Sequence, residues 1–393
     1  MKLDLLEVVA AISDLLDLAG IDHYLHGKRV ATMATECAHI LHLGPASHAG
    51  LVLAALLHDL GTTAAQSCTP LEVELESEGA RLHCERGAWL LRELSPLSHL
   101  VPVIRYHHTH WEKLPKDLDP ELGRDTNLIF LIDRVDALTA PHIGAADFHQ
   151  HRDESRRVIA ERSGSAFSPK LVEAFLKASV RSSFWYLEEP KDGLHESFGL
   201  VPQWTDFDYE ELRDLARIFS ILADGRNEGA MESSLRLSDL AYALASRLGL
   251  EPELVEKIAV AAVLHDIGGV SVLDALRERV RPDRTTVLHH TFRVYQILRS
   301  IHGFEDIVLW VAMHHESLER ATDAPPPGDE LPLPARILAV ADACYTLAHE
   351  EAARNLPDSV LAKLKELGTA GRLDPRIVAE LEEHQGIYWP LVA

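Results

Sequence analysis

The most constraining feature of this 393-residue chain is an internal repeat. The segments "LVLAALLHDLGTT" and "IAVAAVLHDIGGV" superpose with His58 on His265, a shift of 207 positions. The same shift places Asp59 on Asp266, His83 on His290, and the pair His107-His108 on His314-His315. With two more residues inserted, Asp133 in "FLIDRVDALT" falls on Asp342 in "LAVADACYTL". "FSPKLVEAF" and "LDPRIVAEL" carry a weaker likeness further along. One aligned histidine would mean little in a chain that holds 23 of them. Four aligned histidines and two aligned aspartates in similar apolar settings mark a tandem duplication. The reading is a first domain over residues 1–190 and a second over 205–393. A stretch rich in Pro, Gly and charge, residues 188–209, joins them.

Both copies read as helical. "DLLEVVAAISDLLDLA", "EGARLHCERGAWLLREL", "SPKLVEAFLKASV" and "PELVEKIAVAAVLHD" carry apolar residues at three- and four-residue steps. Pro252 and Ser168-Pro169 stand where helices begin. Alternating β-branched runs are missing, so the expected fold is all-α: two tandem helical bundles. The formal charge of −23 argues against a nucleic-acid polymer or an anionic membrane as partner. Any phosphorylated substrate then needs local positive charge, from clustered Arg and Lys or from metal. Four cysteines (Cys37, Cys68, Cys84, Cys344) without CxxC spacing suit a reducing compartment, and no apolar run reaches the length of a membrane span. The first twenty residues, with Asp4, Glu7, Asp14 and Asp17, read as an amphipathic helix and not as a signal peptide. The expected location is the cytoplasm.

"LVLAALLHD" is apolar on every side until it delivers His58 and Asp59, so its helix should be buried. A buried carboxylate needs a partner. His83 sits within a helix, His107-His108 end the apolar stretch "LVPVIRYHH", and Asp133 lies within "LIFLIDRVDAL". Singly, each fits a hydrogen-bonded core histidine or a salt-bridged aspartate. Together, at repeat-locked positions, they point to divalent metal, and a His/carboxylate set without thiolate favours Fe or Mn over structural Zn.

The order His, "HD", His, "HH", Asp is similar to the HD superfamily of metal-dependent phosphohydrolases. Within it the chain resembles most the HD-GYP domains, which hydrolyse cyclic dinucleotides. "HGKRVATMA", "LLHDLG", "RYHH" and "LIDRVDALT" carry the likeness in the first copy. "VLHDIGG", "MHHES" and "LPLPARILAVADA" carry it in the second. The resemblance implies one metal held by His26, His58, Asp59 and Asp133. It implies a second held by His83, His107 and His108, with Asp59 bridging. Asp22, one turn before His26, falls where trinuclear members place a further ligand, giving two divalent metals, or three with Asp22. His23 is off that spacing and reads as surface. Asp59 and His58 are the catalytic pair by this analogy: a water shared by two cations loses its proton near neutral pH and attacks phosphorus. Arg29, Arg105, Lys113 and Arg134 lie near these positions and are candidates for contact with substrate phosphate.

The second copy departs from the family at the first ligand. Ser233 stands where His26 does and Gly229 where Asp22 does. His265, Asp266, His290, His314, His315 and Asp342 remain, enough for one metal or a weak pair, and the expectation is a regulatory or dimerising copy. Neither copy has the GYP loop after its paired histidines. The lysine that usually follows "HDIG" is replaced by Thr62 and Gly269. The expected function is therefore a metal-dependent phosphodiesterase acting on cyclic dinucleotides or related nucleotides through the first domain, with a homodimer as a conceivable assembly. Two rivals stand beside it: a non-catalytic signalling scaffold, favoured by the missing loops, and a nucleotide phosphomonoesterase.

Overall fold

The structure is a computed structural model that describes residues 1–18, 25–62, 78–185, 193–224, 228–267, 284–316, 331–349 and 357–392. Among the described residues there are eighteen α-helices and one two-stranded antiparallel ribbon, so the all-α expectation holds. The chain forms two compact units that part between Asp206 and Phe207.

The first unit contains α1 (Leu5–Leu18), α2 (His26–Leu41), α3 (Pro45–Leu57), α4 (Glu78–Arg92), α5 (Val101–Tyr106), α6 (Pro120–Thr139), α7 (Phe148–Glu161), α8 (Pro169–Ala178) and α9 (Leu194–Phe198). Two of these form its core. Every residue of α3 from Leu51 to Leu57 is buried, as is every residue of α6 from Leu128 to Ile132. Helices apolar on all sides are stable only when surrounded. Accordingly α2 lies along α3, and α6 packs against α2, α3, α5 and α7. Local sequence sets where they begin. Pro45, Pro120 and Pro169 occupy first turns, where a missing N–H costs nothing. Asp119 caps α6 by accepting from the backbone N–H groups of Glu121 at 2.8 Å and Leu122 at 3.2 Å.

Two glycine contacts set how closely the helices approach. A Cβ on Gly61, in the turn after α3, would collide with the His83 carbonyl oxygen and the Gly87 amide of α4. A Cβ on Gly87 would meet the Gly61 amide at 3.1 Å and Ile104 Cγ2 at 2.9 Å. The two backbones are therefore in direct contact. Gly27 acts similarly in α2, where a Cβ would lie 2.6 Å from Ser13 Oγ of α1 and 3.3 Å from the Leu56 carbonyl oxygen of α3.

The stretch that the sequence marks as a linker is partly built into this unit. It contains α9 and β2 (Trp204–Asp206), which pairs with β1 (Lys2–Asp4) in the register Lys2↔Asp206 and Asp4↔Trp204. The buried Asp4 carboxylate explains the attachment. It accepts from the Leu6 and Glu7 amides at the start of α1, from His195 Nε2 at 3.0 Å and from the Gln203 amide at 2.5 Å. One buried charge thus caps a helix and anchors the returning chain.

The second unit repeats the plan with α10 (Tyr209–Asp224), α11 (Glu228–Arg247), α12 (Pro252–Leu264), α13 (Arg284–Leu298), α14 (Glu305–Met313) and α15 (Leu333–His349). It is followed by α16 (Pro357–Thr369), α17 (Pro375–Glu383) and α18 (Gln385–Val392). Its α12 is buried continuously from Ile258 to Leu264, as α3 is. Val294, wholly buried, stands at the repeat position of Gly87.

Gly61→Ala should force α3 and α4 apart at a backbone contact, lowering stability by about 1–3 kcal/mol. Urea unfolding of the variant beside the parent measures this, and an unchanged midpoint would refute the close contact.

Candidate metal centre

Four histidines of the chain share one local design. His58 ends α3, His107 ends α5, His265 ends α12 and His314 ends α14. In each, Nδ1 pairs with the carbonyl three residues earlier: Ala55 at 2.8 Å, Ile104 at 2.7 Å, Ala262 at 2.8 Å and Val311 at 2.6 Å. The last carbonyls of a helix lack intrahelical donors, so an imidazole at its end is a ready partner. A carbonyl only accepts, which puts the ring proton on Nδ1. Nε2 is left as a lone pair directed away from the helix.

His26, the first residue of α2, reaches the same state by another route. Its Nδ1 donates to Asp136 Oδ2 at 2.7 Å. Asp136 is in turn gripped by Arg29, with Nε 2.6 Å from Oδ1 and Nη2 2.7 Å from Oδ2. Burial alone would raise the Asp136 carboxyl, but the hydrogen bonds from Arg29 and His26 outweigh it and hold the group ionised. The sequence reading missed Asp136. Its signal was its place one turn after Asp133 on the same helix.

These protonations decide what the centre can hold. His26 Nε2 lies 3.1 Å from His58 Nε2, and in the neutral rings the proton sits on the Nδ1 of each. His83 Nε2 lies 3.1 Å from His107 Nε2. Ring nitrogens converging at this distance beside buried carboxylates suit a cation between them. Asp59 lies across both pairs. Its Oδ2 is 3.3 Å from His58 Nε2 and 3.6 Å from His26 Nε2. Its Oδ1 is 3.6 Å from His83 Nε2 and 4.0 Å from His107 Nε2. Asp133 Oδ1 closes the first group, 3.4 Å from His26 Nε2, while its Oδ2 accepts from Arg134 at 2.7 Å. His108 Nδ1 is 3.9 Å from Asp133 Oδ2 and is buried without a hydrogen-bond partner among the described residues.

Electrostatics agree with a site for cations. Burial, then the neighbouring imidazoles, pushes His107 down to about 3 and His108 well below the ordinary histidine range, so both are neutral donors. His83 is shifted the same way, chiefly by burial. Burial opposes ionisation of Asp59, yet His58, His83 and His26 together hold it as a carboxylate. Asp133 is held likewise against its burial, with Arg134 the main cause. Neutral imidazoles around anionic carboxylates form the donor set of a borderline transition metal.

The structure therefore brings together His26, His58, Asp59, His83, His107, His108 and Asp133. Asp22 and His23 lie outside the described residues. Arg29 is committed to Asp136. Arg105 is exposed on α5, 3.4 Å from Glu85 Oε2, and Lys113 is exposed in the short turn Trp111–Lys113. A soft atom also adjoins the group: the buried Cys84 Sγ is 3.9 Å from His107 Nε2, and burial pushes its thiol up to about 12. In the second unit the donors of His314, His315 and Asp342 lie within 4.8 Å of one another, and His265 Nε2 is 3.8 Å from Asp342 Oδ1. Asp266 is exposed, Gly229 lies in the first turn of α11, and the His290 side chain lies outside the described residues.

Comparison with known proteins places this arrangement. The HD domain family model matches residues 24–140 and again 231–347, and the chain belongs to that family. Members are metal-dependent phosphohydrolases, and both matched segments span the clusters described above. The chain is 24% identical to the 3'3'-cGAMP-specific phosphodiesterase 1 of Vibrio cholerae, over 99% of this chain and 94% of that protein. It is 27% identical to the 3'3'-cGAMP-specific phosphodiesterase 3 of the same organism, over 76% of this chain and 66% of the other. A solved structure of a cyclic GMP-AMP-specific phosphodiesterase from V. cholerae superposes with a TM-score of 0.65 at 20% identity, covering 98% of this chain and 99% of that one. At that identity the superposition establishes the fold.

Asp136→Asn should weaken divalent-metal binding about 10–100-fold by loosening the orientation of His26. Competition against a metallochromic chelator measures it, and unchanged affinity would refute an orienting role for Asp136.

Proposed function

We propose that the first unit is a metal-dependent phosphodiesterase that opens a cyclic dinucleotide. The observation that carries this reading is that the two oxygens of Asp59 face different imidazole pairs, one made by His26 and His58 and the other by His83 and His107. Two divalent cations bound there supply Lewis-acid charge for the phosphoryl oxygens and make a water acidic near neutral pH.

The residues of the chain set that chemistry up. His26, His58, Asp59 and Asp133 would hold one cation. His83, His107 and His108 would hold the other, with Asp59 common to both and fixing their separation. A donor set of imidazoles and carboxylates favours Mn or Fe over structural Zn, with the Cys84 thiol adjoining His107. Asp136 and Arg29 keep the His26 proton on Nδ1 and so leave Nε2 to ligate. Arg29 thereby acts through Asp136, while Arg105 and Lys113 remain the candidates for contact with substrate phosphate. Two relatives named for 3'3'-cGAMP, aligned over most of this chain, support a cyclic dinucleotide as the substrate class. The second unit, with Ser233 in place of a ligating histidine, has a regulatory role in this reading. Among the described residues no helix is long and apolar enough to cross a membrane.

The experiment pairs elemental analysis with a cyclic-dinucleotide hydrolysis assay. The parent should carry about two Mn or Fe in the first unit. His58→Ala or Asp59→Ala should lose metal and reduce hydrolysis to background, whereas His265→Ala should keep most of the activity. Equal loss of hydrolysis from all three variants would sink the division between units.

A further inference from the structure

The second unit contains a cavity of about 210 Å³, and the duplication explains how it arose. In the first unit the same space is filled by His26, backed by Asp136. The repeat puts Ser233 at the place of His26 and Tyr345 at the place of Asp136, and both now line the cavity. A further exchange adjoins it. Gly27 of the first unit has no room for a Cβ because of Ser13 Oγ. Its counterpart is Ser234, whose hydroxyl instead accepts from Ser220, the counterpart of Ser13, at 3.2 Å. A pair of side chains thus stands between α10 and α11 where α1 and α2 meet at a glycine.

The lining is mixed in chemistry. It includes Ser220, Ser233 and Ser234. His265, Asp266 and Asp342 also line it, and Asp342 belongs with His314 and His315 to a set of donors within 4.8 Å of one another. The hydrogen bonds from Nδ1 of His265 to Ala262 and of His314 to Val311 turn both Nε2 atoms to ligation. Leu237, Val263 and Ile267 supply apolar lining. Cation donors, hydroxyls and an apolar face side by side match a ligand with phosphate, sugar hydroxyls and a flat base.

We propose that the second unit is a receptor for a nucleoside monophosphate: His265, His314, His315 and Asp342 hold one divalent cation, and the serine-lined cavity takes the nucleotide, whose phosphate binds through that cation. The paired-cation arrangement of the first unit requires an imidazole where Ser233 stands, so this site binds without hydrolysing. The choice of a nucleotide rests on the reading of the first unit as a cyclic-dinucleotide hydrolase: one water opens the ring to a linear dinucleotide with a terminal phosphate, and a second hydrolysis of that product releases nucleoside monophosphates. The site would then report the fully cleaved product to the same chain.

The test uses the full chain carrying Asp59→Ala, with Mn(II) followed by electron paramagnetic resonance and GMP and AMP binding by equilibrium dialysis. Mn(II) should remain bound in this background and be lost on adding His314→Ala. One of the two nucleotides should bind only with Mn(II) present. Ser233→Trp, which fills the cavity, should weaken that binding at least tenfold while leaving Mn(II) bound and helicity by circular dichroism unchanged. Ser233→Leu, a smaller filler with no ligating atom, should act the same way and covers the case in which the tryptophan variant misfolds. Mn(II) retention unaffected by His314→Ala, binding of neither nucleotide, or binding untouched by both Ser233 variants would each overturn the proposal. Hydrolysis by the chain with Asp59 intact separates the two readings. Hydrolysis without nucleotide binding at the cavity removes this inference alone, and binding without hydrolysis removes the first-unit reading alone.

Discussion

Everything in the centre depends on where one proton sits on each imidazole. A helix that stops in the core leaves carbonyls without partners, and a histidine at its end supplies the missing donor through Nδ1. The bond settles the helix terminus and the tautomer together, so Nε2 becomes a lone pair aimed out of the helix by the backbone itself. His58 and His107 are set this way in the first unit, and His265 and His314 in the second. His26, at the start of its helix, makes no such bond to a carbonyl. It relies on Asp136, and Asp136 relies on Arg29.

That difference explains which part of the site diverged after duplication. The four terminal histidines are tied to helix endings that each unit needs for folding. The His26 position belongs to a separate assembly of three side chains, and in the second unit two of the three have changed: Ser233 replaces the imidazole and Tyr345 the aspartate, while Arg236 keeps the arginine. Once His26 was gone, a buried carboxylate at the Asp136 position would have lost one of its two partners. The second unit thus retained the half of the centre that its helices support by themselves.

Much of this was legible in the sequence. The repeat, the helical periodicity and the set of residues from His58 to Asp133 that the fold gathers are one-dimensional signals, because apolar spacing and a doubled pattern survive without coordinates. What was not legible depends on approach between distant elements. Asp136 looks like one more helical aspartate until His26 is placed beside it. Arg29 reads as a phosphate-binding cation until its guanidinium is found on Asp136. The ribbon between β1 and β2 joins segments about two hundred residues apart, and the residues around 188–209 read as a tether because the buried Asp4 that anchors them lies at the other end of the unit.

Gly61 and Gly87 carry no functional group, yet they act as a gauge for the centre. Where two backbones touch, the spacing between the "HD" turn and His83 is set by atomic radii, and no side-chain rotamer can adjust it. The calibration is therefore stored in what the two residues lack. At the Gly87 position the second unit carries the wholly buried Val294. In relatives of this chain, small residues at this pair of positions should mark copies that keep the "HD" turn against the next helix, whichever histidines they retain.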